Sequence, residues 1–182
     1  VESGAIDCIW GCFSMDGREQ LYRWAGPYMT SRQVVAVNAD SGIETLADLA
    51  GKTMMVQSTT KPEEIFLGGT DPRIPQFGEL LSAEDRSVQY AMLNCGYVDA
   101  IAAHETAILQ YMQDCNADFR ILEEPLLVTG IGVAFALNDT RRLDEQLTKT
   151  FAAMRADGTM KQIVGRYLPD PEKYLEVDAL EP

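Results

Sequence analysis

Short apolar segments alternate with helix-forming segments along most of the 182-residue chain. The apolar runs are bounded by Gly, Pro or polar residues, which predicts β-strands at residues 6–12, 33–37, 53–57, 98–103, 119–122 and 132–137. Helix signals predict helices at residues 43–50, from Lys61 with Pro62 in its first turn, at 82–94, 105–113, 143–156 and 160–167. Ser82 is predicted to be the N-cap of the third of these, with Asp85 completing a capping box. Strand–helix alternation of this density predicts an α/β fold with a mostly parallel sheet.

Composition and charge limit the classes of partner. Apolar residues make up 46% of the chain and charged residues 24%, as in ordinary globular domains. The formal net charge of −13 argues against nucleic acid or an anionic membrane surface, because phosphate groups are bound by clustered Lys and Arg. The longest uncharged run, residues 125–138, is too short to span a bilayer. The chain begins at Val1 without a visible signal sequence, so we expect a mature product or an excised part of a longer protein.

The cysteine and histidine pattern predicts no metal site and no cofactor. No C-x-x-C motif occurs and the chain has one His, which excludes the usual Cys/His zinc sites. Cys8 and Cys12 would lie about 13 Å apart on one strand face, too far to bridge. We expect buried or pocket-lining thiols, with a bridge between Cys95 and Cys115 as the alternative.

Two similar hexapeptides suggest an internal repeat. "GAIDCI" (4–9) and "GYVDAI" (96–101) share a Gly, an Asp at the entry to an apolar strand, and a closing Ile. Chance is one explanation, because βα units reuse such patterns. The other is two lobes of like construction, each delivering the carboxyl end of a strand to a common cleft, where open α/β sheets bind ligands. In either case Asp7 and Asp99 are expected to hold strand entries.

Several longer phrases occur in a recognisable order. They are "DCIWGCFSMDGREQLYRWAGPYMTSRQVVAV", "IETLADLAGKTMMVQSTTKPEE", "GYVDAIAAHETA" and "LDEQLTKTFAAMRADGTMKQIVGRYL". Together they resemble the bacterial extracellular solute-binding proteins of family 3, the polar amino-acid type with the type II periplasmic-binding-protein fold. The resemblance implies a first lobe at 1–33 and 138–182, a second lobe at 38–131, and hinge strands at 34–37 and 132–137. The strands with which family members begin are missing before Val1, so we expect an incomplete first lobe, an exposed apolar edge at residues 6–12, and a possible homodimer formed through it.

The resemblance also implies a set of ligand-binding residues. In the first lobe Arg18 corresponds to the Arg that binds a ligand carboxylate through its two-pronged guanidinium. Trp10 is a candidate pocket wall from its neighbourhood alone. The remaining implied contacts are Gly11, Cys12 and Ser14 in the first lobe and Ser58, Thr59, Thr60 and His104 in the second.

Each assigned ligand-binding residue has an alternative role, and this sequence departs from the family pattern at two places. Arg18 could pair with Asp16 or Glu19, Trp10 and Cys12 could be core residues, and residues 58–60 could only cap a helix. The connection from the strand to the Arg is one residue shorter than is typical. His104 stands where the family has the Asp that accepts an α-ammonium group, and a neutral imidazole supplies no anion. Glu105 could replace it if the turn were reshaped.

Three functions follow from the resemblance. The first is a receptor that binds an amino acid or related carboxylate outside the cytoplasm, in the periplasm or at the cell surface, and delivers it to the membrane permease of an ABC importer. The second is an extracellular sensor domain of a membrane-anchored signalling protein such as a kinase or diguanylate cyclase. The third is an enzyme resembling cyclohexadienyl dehydratase, for which His104 and Glu105 are the visible acid–base pair. A non-catalytic binding protein is the expected outcome.

Overall fold

The computed structural model describes residues 1–179. Its strands are β1 (Ile9–Ser14), β2 (Arg23–Asn38), β3 (Thr53–Gln57), β4 (Glu79–Ala83), β5 (Ala100–His104), β6 (Phe119–Ile121) and β7 (Leu127–Phe135). Its α-helices are α1 (Lys61–Gly68), α2 (Arg86–Asn94), α3 (Glu105–Cys115), α4 (Leu143–Ala156) and α5 (Thr159–Val164). Short 3₁₀ segments lie at Leu46–Leu49, Glu172–Tyr174 and Val177–Ala179. Within this part of the chain, no helix has the length and apolar character needed to cross a membrane.

The chain divides into two compact units. Unit 1 comprises Val1–Ser31 and Val128–Pro182, and unit 2 comprises Arg32–Leu127. In unit 1, β7 lies between β1 and β2, and β1 runs antiparallel to β7. Phe151 of α4 is buried against strand residues such as Ala25 and Val133, and the remainder of the predicted α4 stripe packs around this core. The apolar stripe of α4 is therefore confirmed as core.

Unit 2 is a sheet covered on both faces. The strand order is β2-β5-β3-β4, with β6 also paired to β2. On one face Leu93 and Ile108, from α2 and α3, join a buried apolar cluster. On the other face Leu46 and Leu49, from the first 3₁₀ segment, join a second cluster. Asp99 accepts a hydrogen bond from the Thr53 N–H group at 2.8 Å, which confirms that it holds a strand entry.

The prediction of a mostly parallel sheet is wrong. β3 runs parallel to β4 and β5, whereas β2 runs antiparallel to both β5 and β6 and β1 runs antiparallel to β7. A parallel neighbour requires a long crossover connection. β2 is one 16-residue strand that continues from unit 1 into unit 2. It enters the unit 2 sheet without a crossover connection, so it need not run parallel to its neighbours there. The alternation of strands and helices predicts which elements occur, but not the direction in which β2 runs relative to its neighbours.

Several predicted boundaries are also corrected. β1 begins three residues later than predicted and extends to Ser14, and β2 begins ten residues earlier, because its first half contains Gly26 and Pro27, which interrupt the strand pattern. Residues 43–50 form only a 3₁₀ turn. Ser82 lies in β4, and the N-cap of α2 is Asp85, which accepts from the Ser87 N–H group at 2.8 Å.

The cysteines are free and mostly exposed. Cys12, Cys95 and Cys115 are exposed and Cys8 is half-buried, so the prediction is wrong as far as it expected buried thiols, while pocket-lining thiols remain a prediction. The alternative bridge between Cys95 and Cys115 is not formed. Asp7 forms an ion pair with Arg141 at 2.5 Å, close to the start of β1. Across residues 1–179, no cluster of three or more His, Cys, Asp or Glu side chains suits a metal ion.

Candidate functional site

The β1 strand departs from regular pairing at the predicted carboxylate cradle. Trp10 is opposite Val133 and Ser14 is opposite Ile131, so residues 11–13 stand against the single residue Gly132. Such a bulge takes backbone groups out of the ladder and re-aims them, and bulges are common beside binding sites. Gly11 and Cys12 are exposed there. The bulge therefore supplies exposed backbone groups that an anionic ligand group needs.

Arg18 is held beside this bulge by contacts that leave its charge near the surface. Its Nη1 atom donates to the Ser14 carbonyl oxygen at 3.3 Å, and its guanidinium lies over the Phe13 ring, 5.0 Å from the centroid. The Arg18 carbonyl oxygen accepts a hydrogen bond from the Trp24 indole at 3.1 Å. Glu19, one suggested ion-pair partner, instead accepts from the Gly17 N–H group at 3.1 Å. Arg18 is thus positioned by a ring and a backbone carbonyl.

Phe13 is a residue that the sequence reasoning missed. Its ring stacks on Trp24 with centroids 5.4 Å apart and meets Tyr22 edge-on at 5.6 Å. A cation over an aromatic face is attracted by the ring quadrupole, so this cluster orients Arg18. The available signal was the aromatic residue next to Ser14, followed by Tyr22 just before the next strand and Trp24 within it.

Ser14 and Trp10 are placed differently from one another. Ser14 is buried, and its hydroxyl shares a 2.9 Å hydrogen bond with the Thr129 hydroxyl and accepts from the Asp16 N–H group at 3.3 Å. Trp10 is 58% exposed and touches Tyr28 and Phe151 edge-on. The alternative that Trp10 is a core residue is therefore wrong, and so is the same alternative for Cys12.

The ring beside Trp10 belongs to a partly buried tyrosine. The Tyr28 hydroxyl donates to the Gly11 carbonyl oxygen at 2.7 Å, which fastens the bulge to β2, the strand beyond β7. Burial, with the nearby Cys12 thiol, raises the pKa of Tyr28 to about 12. The hydroxyl therefore stays protonated at neutral pH and remains a donor to the bulge.

In unit 2 the predicted turn Ser58–Thr60 connects β3 to α1. Thr59 has a left-handed φ of 62°, and its N–H group donates to Glu63 Oε2 at 2.6 Å. The Ser82 hydroxyl also donates to Glu63, and these bonds hold the pKa of that carboxyl below its usual value. The Thr59 N–H group is consequently occupied by the protein's own carboxylate.

Thr60 and Ser58 make other bonds within this turn. Thr60 is the N-cap of α1, but its hydroxyl donates back to the Gln57 carbonyl oxygen at 2.6 Å instead of capping the helix. The Ser58 N–H group donates to the Ala83 carbonyl oxygen at 2.9 Å and extends the pairing of β3 with β4. The alternative that these side chains only cap the helix is therefore wrong for Thr60.

His104 ends β5 and is the N-cap residue of α3. The Gln33 amide nitrogen lies 3.1 Å from its Nε2 atom and 3.2 Å from its Nδ1 atom. The amide nitrogen can only donate, so a hydrogen bond here requires one ring nitrogen as the acceptor, which a neutral imidazole supplies. Burial lowers the pKa of His104, and the positive charge of Arg86 lowers it further. His104 therefore offers no negative charge to a ligand.

Glu105 does not take over the role of an anion beside His104. Its side chain is buried and pairs with Arg32, with Arg32 Nη1 3.5 Å from Glu105 Oε1. The turn between β5 and α3 is therefore not reshaped in a way that would let Glu105 replace the family's Asp. The suggested acid–base pair of His104 and Glu105 accordingly lacks a free carboxylate.

A small cavity of about 30 Å³ brings Thr60 and His104 together. It is also lined by Gln33, Gln57, Pro62, Arg86, Gln89, Ala102 and Ala103. The polar residues among these, apart from the two predicted ones, were missed by sequence reasoning. Gln89 carried a usable signal, because it lies four residues before the buried Leu93 on the core-facing side of α2, where a polar side chain is unusual.

Comparison with known proteins identifies the family. The profile of the bacterial extracellular solute-binding proteins, family 3, matches residues 1–170. The glutamate-binding protein GluB of Corynebacterium glutamicum is 26% identical over 187 residues, covering 97% of this chain and 60% of that protein. The histidine-binding periplasmic protein of Salmonella typhimurium is 33% identical over 145 residues, covering 75% of this chain and 54% of that protein. The chain thus spans somewhat over half the length of these relatives.

Solved structures agree with this relationship. The substrate-binding protein of an amino acid ABC transporter superimposes with a TM-score of 0.76 at 26% identity, covering 93% of this chain and 74% of the other. The arginine-, lysine-, histidine-binding protein ArtJ of Geobacillus stearothermophilus, at 23% identity and a TM-score of 0.74, shows the same α/β fold. The predicted family and the type II periplasmic-binding-protein fold are both confirmed: this chain belongs to the bacterial extracellular solute-binding proteins, family 3.

Proposed function

We propose that the protein binds an amino acid or a related small carboxylate outside the cytoplasm and delivers it to the permease of an ABC importer. The observation that carries the proposal is Arg18, held over Phe13 beside the exposed bulge of residues 11–13. In a chain of net charge −13, this guanidinium is a local positive site suited to a carboxylate. Relatives named for binding glutamate and histidine support the ligand class.

In the proposed mechanism residues of each unit contribute to solute binding, and no covalent chemistry occurs. Unit 1 contributes Arg18 and the bulge, with Trp10 as an apolar wall. Unit 2 contributes the turn at residues 58–60 and His104. Residues 34–37 and 132–137 act as hinges, and the solute shifts the population towards the state for which it has the higher affinity. The proposal places the Ser14 hydroxyl behind the cradle, because Thr129 already engages it.

We also propose that β1 mediates association with a second copy of the chain. β1 is at the end of the strand order in unit 1 and pairs with β7. Ile6 and Trp10, at and before this strand, are 55% and 58% exposed. An exposed strand edge with large apolar side chains is a template for further pairing. No observed feature favours the sensor or enzyme alternatives over transport.

Replacing Arg18 tests the proposed ligand contact. Arg18→Ala removes a charge-assisted, two-pronged pair, and we expect carboxylate binding to weaken by about 2–4 kcal/mol. Isothermal titration calorimetry with glutamate and other amino acids provides the measurement. Arg166→Ala is the matched control, because Arg166 is an exposed Arg of unit 1 outside the site. Equal affinities of wild type and Arg18→Ala for a solute that binds would remove Arg18 from the site.

A further inference from the structure

Trp24, the second residue of β2, contacts Arg18 in two ways within unit 1. Its indole Nε1 atom donates a hydrogen bond to the Arg18 carbonyl oxygen at 3.1 Å. Its ring system stacks on Phe13, with centroids 5.4 Å apart and planes inclined by 27°. The Arg18 guanidinium lies over the other ring of this stack, 5.0 Å from the Phe13 centroid. One side chain therefore holds the Arg18 backbone directly and the Arg18 guanidinium through Phe13.

The same indole lies against the residue opposite the β1 bulge. Residues 11–13 of the bulge stand against Gly132 of β7. A Cβ atom at Gly132 would lie 2.9 Å from the Trp24 Cε3 atom and 3.0 Å from the Ala25 carbonyl oxygen. Distances this short leave no room for a side chain, so glycine lets the indole approach the backbone of β7 closely. Trp24 thus touches both the strand that faces the bulge and the loop that carries Arg18.

The loop between β1 and Arg18 is fixed at both ends. The Met15 N–H group donates to the Gly130 carbonyl oxygen at 3.0 Å, which ties the start of the loop to β7. The Arg18 N–H group donates to the Met15 carbonyl oxygen at 2.9 Å, and the Arg18 carbonyl oxygen also accepts from the Leu21 N–H group at 3.0 Å. These last two bonds only close local turns. The indole bond is the one that joins the Arg18 carbonyl to β2.

A fixed guanidinium binds a carboxylate more tightly than a mobile one. A free Arg side chain loses up to about 2 kcal/mol of rotamer entropy when it is ordered, and a two-pronged pair also needs the guanidinium plane in one orientation. Rings that hold the guanidinium before binding reduce this cost. Tyr22 completes the ring cluster, because it meets Phe13 and Trp24 edge-on with centroids 5.6 Å and 5.7 Å away.

We propose that Trp24 is a positioning residue of the carboxylate site, which orients Arg18 and fixes the backbone opposite the bulge before a solute binds. This role rests on the proposed function, in which Arg18 binds a carboxylate. Trp24 acts through Arg18 and not by contact with the solute. Its contribution to affinity should consequently disappear when Arg18 is absent.

A double-mutant cycle between Trp24 and Arg18 tests this dependence. Trp24→Phe keeps a ring that can stack on Phe13 but removes the indole N–H donor. The probe is whichever of glutamate, glutamine, arginine and histidine binds the wild type most tightly, measured by isothermal titration calorimetry. Trp24→Phe should weaken its binding about 3- to 10-fold, the range for one hydrogen bond. In the Arg18→Ala protein the same substitution should change affinity less than about 2-fold, because the two effects are not additive.

Tyr167→Phe is the matched control for the lost donor. It removes one hydroxyl from an aromatic side chain of unit 1 that is 76% exposed, and it should leave affinity unchanged. An equal loss of affinity on Trp24→Phe with and without Arg18 would show that the indole only supports the fold, and the assignment would be overturned. Wild-type affinity in Trp24→Phe would also overturn it.

Fluorescence gives a second measurement that leaves Trp24 in place. The chain has two Trp, so in the Trp10→Phe protein all indole emission comes from Trp24. A carboxylate bound to Arg18 neutralises the cation next to the stack of Phe13 and Trp24. We therefore expect a saturable change in emission with the midpoint found by calorimetry. Unchanged Trp24 emission at saturating probe would contradict the coupling, even if Trp24→Phe failed to fold.

The proposed function fails in a distinguishable way. If calorimetry detects no binding of any amino acid or small carboxylate, the solute-binding proposal fails and the role of Trp24 fails with it. If a solute binds with an affinity that depends on Arg18 while Trp24→Phe binds it as tightly as wild type, the proposed function stands and only the assignment of Trp24 is overturned.

Discussion

Replacing Gln89 by Met should stabilise the ligand-free protein. Gln89 is fully buried on α2, and neither polar atom of its amide makes a hydrogen bond of normal geometry, although the Tyr90 hydroxyl lies near it. Each buried, unsatisfied polar group costs about 1–3 kcal/mol, and a water in the adjoining cavity can satisfy roughly one of the two. Met is unbranched like Gln, has a similar helix propensity and carries no strong hydrogen-bonding group. We therefore expect the free energy of unfolding to rise by about 1–3 kcal/mol.

Urea unfolding followed by circular dichroism measures this change. The matched control is Gln146→Met, which makes the same substitution on an exposed part of α4 and should stay within about 0.5 kcal/mol of wild type. If Gln89→Met instead lowers the free energy of unfolding by more than about 1 kcal/mol, the amide is satisfied in the folded protein and the reasoning is refuted.

Two further predictions concern His104 and the edge strand. Because the pKa of His104 is lowered from 6.5 in the folded state, the unfolded chain binds more protons below pH 6.5, so the free energy of unfolding should fall as the pH drops through this range. Comparing urea unfolding at pH 7.5 and 5.5, His104→Gln should lose less stability than wild type, and equal losses would contradict the pKa assignment. Trp10→Lys places a charge on the exposed edge strand β1 and should shift a dimer towards monomer in light scattering; a wild-type monomer at high concentration would argue against edge pairing.

Local patterns predicted many elements correctly. β3 has its predicted bounds, Thr53–Gln57, and α1 begins at Lys61 with Pro62 in its first turn, because a buried apolar run and a helix-start signal each depend on a few adjacent residues. The stripe of α4 was predicted for the same reason. The length of β2 and the direction of its neighbours were not, because they depend on pairing between residues far apart in the chain.

The candidate site, like the fold, was predicted only as far as local sequence determines it. The order of family phrases placed Arg18 after the β1 strand and the turn at residues 58–60 after β3, where the structure has them. The order of family phrases did not reveal that the Arg18 guanidinium lies over the Phe13 ring, or that the Thr59 N–H group donates to Glu63. Aromatic and acidic residues are too common for their positions in the sequence to indicate these contacts.

Family membership, the α/β class and the positions of most helices follow from local sequence, because each rests on short motifs or on hydrophobic periodicity. Tertiary structure decided which polar groups are already engaged. Ser14 meets Thr129 across 115 positions of the chain, and Gln33 meets His104 across 71. The hydrogen-bonding state of a buried group depends on such distant neighbours. For this reason only the folded chain shows that burial lowers the pKa of His104, that Glu105 pairs with Arg32, and that the amide of Gln89 is buried without a hydrogen bond of normal geometry.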